Sequence, residues 1–90
     1  MKATVDTITQ WIKRAAESRL PDIEVRADTP IIENGLLDSI EILNLVGFLE
    51  EEFEIALPVE EFVPENFASA NAIAALVTRL RAVQPAVENP

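Results

Sequence analysis

The sequence contains neither cysteine nor histidine in its 90 residues. Their absence excludes disulfides, thiolate nucleophiles and most zinc sites, and it removes the commonest general base of enzymes. Carboxylates remain as catalytic candidates, but a carboxylate pair needs a cleft that a chain of this size rarely provides. We therefore expect a protein that is not an enzyme and that has no metal site.

Long apolar runs are also missing. No stretch reaches the roughly 18 apolar residues needed to cross a bilayer, and the first residues, MKATVDTITQWIK, lack the apolar core of a signal peptide. The apolar fraction of 49% is ordinary for a globular chain. The sequence thus predicts one soluble, cytoplasmic domain over residues 1–84, followed by a flexible tail at residues 85–90.

Lysine and arginine are absent from the middle of the chain. Between Asp28 and Glu65 there are 11 acidic residues and no basic one, so this segment accounts for the net charge of −9. A field of this sign repels nucleic acid and anionic membranes and attracts basic protein surfaces. We expect the partners to be proteins, not nucleic acid or a membrane.

Apolar residues recur at helical spacing in three segments. The first stripe ends before Leu20-Pro21, the second runs over residues 39–53, and Ser69 is a suitable N-cap for the third. A short turn starting at Pro64 precedes the last helix. The predicted core positions are Val5, Ile8, Ile12, Ala15 and Ala16 in the first helix, Ile42, Leu45, Val46, Leu49 and Phe53 in the second, and Ala70, Ile73, Leu76, Val77 and Leu80 in the third.

The connection over residues 20–37 is long and contains several apolar residues, so we expect Ile31 and Leu36 or Leu37 to pack under the helices. The second helix also has an apolar stripe on its far side. Ile40, Leu43 and Gly47 lie there among acidic residues, where solvent-facing polar groups are usual. Helical periodicity and burial in the core do not explain this second stripe.

The motif DSIE, residues 38–41, reads as a helix start in which Asp38 is the N-cap and Glu41 completes a capping box. Ser39 is then the first helical residue, and its hydroxyl is free at the positive end of the helix. That position suits an esterified phosphate. A serine hydrolase is excluded because there is no GxSxG elbow and no histidine, and DTPIIENGLLD lacks the alternating oxygen ligands of a calcium loop.

The segment ENGLLDSIEILNLVGFLEEEFEIALP resembles the modification region of the acyl carrier protein family, and PENFASANAIAALV is similar to the turn and last helix of that family. The resemblance implies an all-α fold, a small four-helix bundle with a long first loop and a short third helix. It also implies that a phosphopantetheinyl transferase moves 4'-phosphopantetheine from coenzyme A onto Ser39, next to Asp38. Acyl or aminoacyl intermediates would then be held as thioesters on the thiol of this arm.

The resemblance further implies a monomer that docks on enzymes through Ile40, Glu41, Leu43, Gly47, Glu50 and Glu51. Those enzymes would be a ligase that loads the arm and a downstream synthase or transferase. The PENF run is typical of discrete carriers outside primary fatty-acid synthesis, including some that carry amino acids. Two alternatives are an unmodified acidic adaptor that docks on a basic protein and, less favoured, an enzyme that uses a carboxylate pair such as Glu50 and Glu54.

Overall fold

The computed structural model describes residues 3–83, and the regular structure within this range is entirely helical. Three α-helices follow one another: α1 is Thr4–Glu17, α2 is Ser39–Phe53 and α3 is Ala70–Val83. Two 3₁₀ helices, Val59–Glu61 and Pro64–Phe67, lie between α2 and α3. The all-α class and the bounds of α2 agree with the prediction. The predicted tail, residues 85–90, lies outside the described residues.

A single turn starts at Pro64, as predicted, but the structure differs from the four-helix count that the family resemblance implies. Pro64–Phe67 is a single 3₁₀ turn, so the described residues contain three α-helices rather than four. Pro64 has no N–H to donate and therefore fits the start of such a turn, while the buried Phe67 side chain fixes its end in the core. The 3₁₀ helix Val59–Glu61 was not predicted.

The core is formed by the apolar stripes of the three helices, with α1 packed against α3 and α2 in contact with both. Each large side chain buried here contributes about 1.5–3 kcal/mol before the entropy cost of folding. The buried helical residues match the predicted stripes: Ile8, Ile12 and Ala16 in α1, Leu45, Val46 and Leu49 in α2, and Ala70, Ile73, Leu76, Val77 and Leu80 in α3. Val5, Ala15, Ile42 and Phe53 lie at the edge and are half-buried.

The long connection between α1 and α2 is fixed to the rest of the domain. Ile31, Leu36 and Leu37 are buried, as predicted. The N–H of Ile31 donates to the Ala68 carbonyl at 2.9 Å, which ties the connection to the segment before α3. Gly35 closes a turn at φ +65°, a conformation that glycine adopts without steric cost. The segment that leads to Ser39 is therefore held in one place.

Candidate functional site

The start of α2 is defined by a capping box. The Asp38 Oδ1 atom accepts the N–H of Glu41 at 2.8 Å, and the Glu41 Oε1 atom accepts the N–H of Asp38 at 3.1 Å. These bonds satisfy N–H groups that have no partner within the helix. The two residues are three positions apart, so the local sequence predicts where the first turn begins, and Ser39 is its first residue.

Ser39 is exposed, and within residues 3–83 its hydroxyl takes part in no hydrogen bond. The capping role belongs to Asp38, so the serine hydroxyl is not needed to start the helix. It lies beside the N–H groups at the positive end of the α2 dipole. The arrangement matches the prediction from DSIE and leaves the oxygen accessible to another molecule.

Arg19, a residue that the sequence analysis did not identify, also contacts this region. Its Nη2 atom donates to the Leu36 carbonyl oxygen at 2.6 Å and to the Glu41 carboxylate at 2.7 Å. Arg19 lies 22 residues before Glu41, so no local pattern signals the pair. Glu41 is consequently only half-exposed and is bound to its own chain on two sides.

An open apolar groove adjoins Ser39. It has a volume of about 370 Å³ and is lined by Ile32, Ser39, Ile42, Leu43, Phe62 and Phe67. These residues come from the long connection, from α2 and from the segment between α2 and α3. The rings of Phe62 and Phe67 meet edge to face, with centroids 6.3 Å apart, at one side of the groove.

The predicted docking residues divide into two groups. Ile40 and Leu43 are 66% and 58% exposed, and Gly47 and Glu51 are also exposed. Glu41 and Glu50, by contrast, are half-buried at the edges of this surface. The Oε2 atom of Glu50 accepts the N–H of Leu57 at 2.9 Å, so this carboxylate fixes the chain that follows α2.

Within residues 3–83, four carboxylates form ion pairs: Glu17 with Lys13, Glu24 with Arg26, Glu41 with Arg19, and Glu61 with Arg79. Most other acids of the described chain, Glu51 among them, have no such pair and remain available to an external positive charge.

Within residues 3–83, no group of three or more His, Cys, Asp or Glu side chains could hold a metal ion. No helix in that range combines the length and apolar character needed to span a bilayer.

An accessible serine at a helix N-terminus, beside an apolar groove, is suited to carry an attached group. Comparison with known families agrees that this chain carries an attached group, because residues 7–77 match the model of the phosphopantetheine attachment site. The chain is 31% identical over 77 residues to a D-alanyl carrier protein of Streptococcus mutans serotype c, an alignment that covers 86% of this chain and 98% of that protein.

Two further similarities point in the same direction. A Serratia sp. (strain ATCC 39006) protein with the name "Probable acyl carrier protein PigG" is 39% identical over 56 residues, which are 62% of this chain and 64% of that protein. A chain in the crystal structure of Bradyrhizobium japonicum glycine:[carrier protein] ligase complexed with glycylated carrier protein superposes with a TM-score of 0.64 and 26% identity. That superposition covers 80% of this chain and 96% of the other.

This chain therefore belongs to the phosphopantetheine attachment site family. It is a carrier protein that holds acyl or aminoacyl groups as thioesters on covalently attached 4'-phosphopantetheine. The residues present fit that group, because an exposed serine oxygen with no partner in the described chain adjoins an apolar groove. When bound, the arm supplies the thiol that a chain without cysteine lacks.

Proposed function

We propose that Ser39 carries the phosphopantetheine arm and that residues 1–84 form one carrier domain around it. The observation that supports this most directly is the exposed Ser39 hydroxyl, which has no hydrogen-bond partner in residues 3–83. A phosphodiester there lies beside the positive end of α2, an arrangement worth about 0.3–1 kcal/mol at an exposed site. Asp38 assists by fixing the helix start through its bond to the Glu41 N–H.

We further propose that partner enzymes dock on a surface centred on Ile40, Leu43, Gly47 and Glu51. Exposed apolar side chains next to the attachment residue support this assignment, because they offer a small contact that a partner can bury and release. Glu41 and Glu50 lie at the edges and add negative potential. Their carboxylates already bind Arg19 and the Leu57 N–H, so their direct bonds to a partner are secondary.

The cargo that this geometry supports best is an amino acid or another short acyl group. The groove beside Ser39 is open to solvent, and Leu45, Leu49 and Leu76 of the core are fully buried. An open groove of this kind does not enclose a long acyl chain. The similarity to D-alanyl and glycylated carrier proteins supports the same class. The turn Pro64–Phe67 takes the place of the short third helix and contributes Phe67 to the groove.

In this role a phosphopantetheinyl transferase catalyses attack of the Ser39 oxygen on the pantetheine-bearing phosphorus of coenzyme A; the serine proton is lost, the pyrophosphate linkage breaks and adenosine 3',5'-bisphosphate leaves. A ligase then loads the thiol, and a downstream synthase or transferase removes the cargo, in a cytoplasmic pathway outside primary fatty-acid synthesis. The chain works as a monomer and catalyses no step itself. Its unpaired acids, such as Glu51, attract basic surfaces on these enzymes and accelerate encounter.

The attachment is tested by incubating the purified chain with coenzyme A and a broad-specificity phosphopantetheinyl transferase, followed by intact-protein mass spectrometry. Wild type gains the mass of one arm and Ser39→Ala gains none. Ser69→Ala is the matched control, because Ser69 also lies at a helix start but is used as its cap through a 3.2 Å bond to the Ala72 N–H. A gain that persists in Ser39→Ala overturns the assignment.

The cargo is tested by purifying the modified chain from its native host and measuring the mass of the group released from the thioester. An amino acid or short acyl group is the expected result, and a long fatty acyl chain contradicts the proposal. Absence of any modification, together with tight and salt-sensitive binding to one basic protein, supports the acidic adaptor instead.

A further inference from the structure

Arg19 joins the end of α1 to the start of α2. Its backbone is fixed in the turn after α1, where its N–H donates to the Ala16 carbonyl at 3.1 Å. From there the Nη2 atom reaches both the Leu36 carbonyl, at 2.6 Å, and the Glu41 Oε1 atom, at 2.7 Å. A single guanidinium nitrogen thus bridges the long connection and the first turn of α2.

The two acceptors lie on either side of Ser39 in the sequence. The Glu41 oxygen that binds Arg19 is the same oxygen that accepts the Asp38 N–H at 3.1 Å, so Arg19 fixes the carboxylate that completes the capping box. On the inner side, the buried side chains of Leu36 and Leu37 anchor the same segment. The backbone before Ser39 is therefore held by apolar packing below and by Arg19 above.

We propose that Arg19 is a positioning residue for the modification of Ser39. By holding the Leu36 carbonyl and the Glu41 carboxylate, it keeps the first turn of α2 formed and the serine hydroxyl in a fixed place. This role rests on the proposed attachment at Ser39. A half-exposed ion pair adds little to global stability, whereas the end of a helix opens locally at low cost, so the effect of Arg19 is on the position of the nucleophile.

The test compares Arg19→Met with Arg79→Met. The control pair is closely matched: the Arg79 Nη2 atom lies 2.8 Å from Glu61 Oε1, which also accepts a second donor, Asn66 Nδ2, at 3.0 Å. Each substitution removes one positive charge and one partly exposed ion pair. The initial rates of arm transfer from coenzyme A by the transferase are measured against the concentration of each variant.

For Arg19→Met, kcat falls about tenfold, because a misplaced nucleophile loses rate, while KM stays within about twofold, because the docking surface remains. Arg79→Met keeps the wild-type kcat and KM. Arg19→Lys recovers part of the lost kcat, since an ammonium group restores the charge but not the planar geometry of the guanidinium. Equal kcat in Arg19→Met and wild type overturns the proposal, as does an equal loss in both methionine variants.

Amide hydrogen exchange provides a readout that requires no partner enzyme. In Arg19→Met the amides of Glu41 and Ile42, which bond to Asp38, exchange faster than in wild type, and in Arg79→Met they do not. Unchanged exchange in Arg19→Met overturns the role of Arg19. A wild-type chain that accepts no arm overturns the proposed function and this role together. A chain modified at Ser39 with an unaffected Arg19→Met overturns only the role of Arg19.

Discussion

The same substitution, Leu→Ala, can be made at two positions of α2 that lie in opposite environments. Leu45 is fully buried in the core, and Leu43, two residues earlier on the other side of the helix, is 58% exposed. Leu45→Ala removes buried methyl groups and leaves a cavity, which costs about 2–5 kcal/mol of unfolding free energy. Leu43→Ala changes a solvent-facing side chain and stays within about 0.5 kcal/mol of wild type.

The measurement is urea unfolding followed by circular dichroism and by the fluorescence of Trp11, the single tryptophan of the chain. Trp11 stacks on Phe48 with ring centroids 5.8 Å apart, so its emission reports the contact between α1 and α2. With a urea dependence of about 1 kcal/mol per molar, Leu45→Ala lowers the midpoint by about 2 M or more. Total stability for a domain of this size is about 5–15 kcal/mol, so this loss is a large fraction.

Leu43→Ala has its effect on docking instead. If Leu43 belongs to the docking surface, its truncation raises the KM of the transferase or the loading ligase by about fivefold or more, the size expected for an interface residue worth at least about 1 kcal/mol. The faces of α2 are wrongly assigned if Leu43→Ala destabilises the fold as much as Leu45→Ala, or if Leu45→Ala leaves the urea midpoint unchanged.

Three further predictions concern the backbone, the cap and the charge. Gly35→Ala places a Cβ at φ +65° and lowers the free energy of unfolding by about 1–2 kcal/mol, whereas Gly47→Ala in the middle of α2 raises it by about 0.5–1 kcal/mol. Neither new Cβ meets a tertiary neighbour within 4 Å, so urea unfolding measures the backbone effect in both variants. A change of the same sign in the two variants would contradict this prediction. Asp38→Ala removes the acceptor of the Glu41 N–H, lowers the free energy of unfolding by about 1 kcal/mol in the same assay and slows arm transfer. Wild-type stability together with a wild-type transfer rate would show that the Asp38 cap does not hold the start of α2. Raising the ionic strength from about 0.01 M to about 0.15 M shortens the screening length from about 30 Å to about 8 Å and raises the Tm, because repulsion among the acids weakens; a constant or lower Tm refutes this.

The helix starts could be predicted because their signals are local. Asp38 and Glu41 bond to each other across one turn, and the Ser69 hydroxyl accepts the Ala72 N–H three residues on. The apolar stripes follow from the same regularity, since the helical repeat alone decides which positions share a face. The free Ser39 hydroxyl also follows from local sequence, because Asp38 occupies the cap position.

Which carboxylates bind a partner within the domain, and which stay exposed, could not be predicted in this way. Glu41, Glu50 and Glu51 look alike in the sequence, yet Glu41 binds Arg19, Glu50 binds the Leu57 N–H, and Glu51 is exposed. Their partners come from other segments, and helical periodicity places no constraint on which segments meet. The same reason explains why the stacking of Trp11 on Phe48 was not predicted.

By itself, the sequence determined the all-helical class, the start of α2 and the position of Ser39 at that start, because these depend on side chains a few residues apart. Tertiary structure decided the rest of the site. The groove beside Ser39 exists only where the long connection brings Ile32, and the segment after α2 brings Phe62 and Phe67, to the same helix. Contacts of that kind arise from the packing of distant segments in a filled core, which no local propensity specifies.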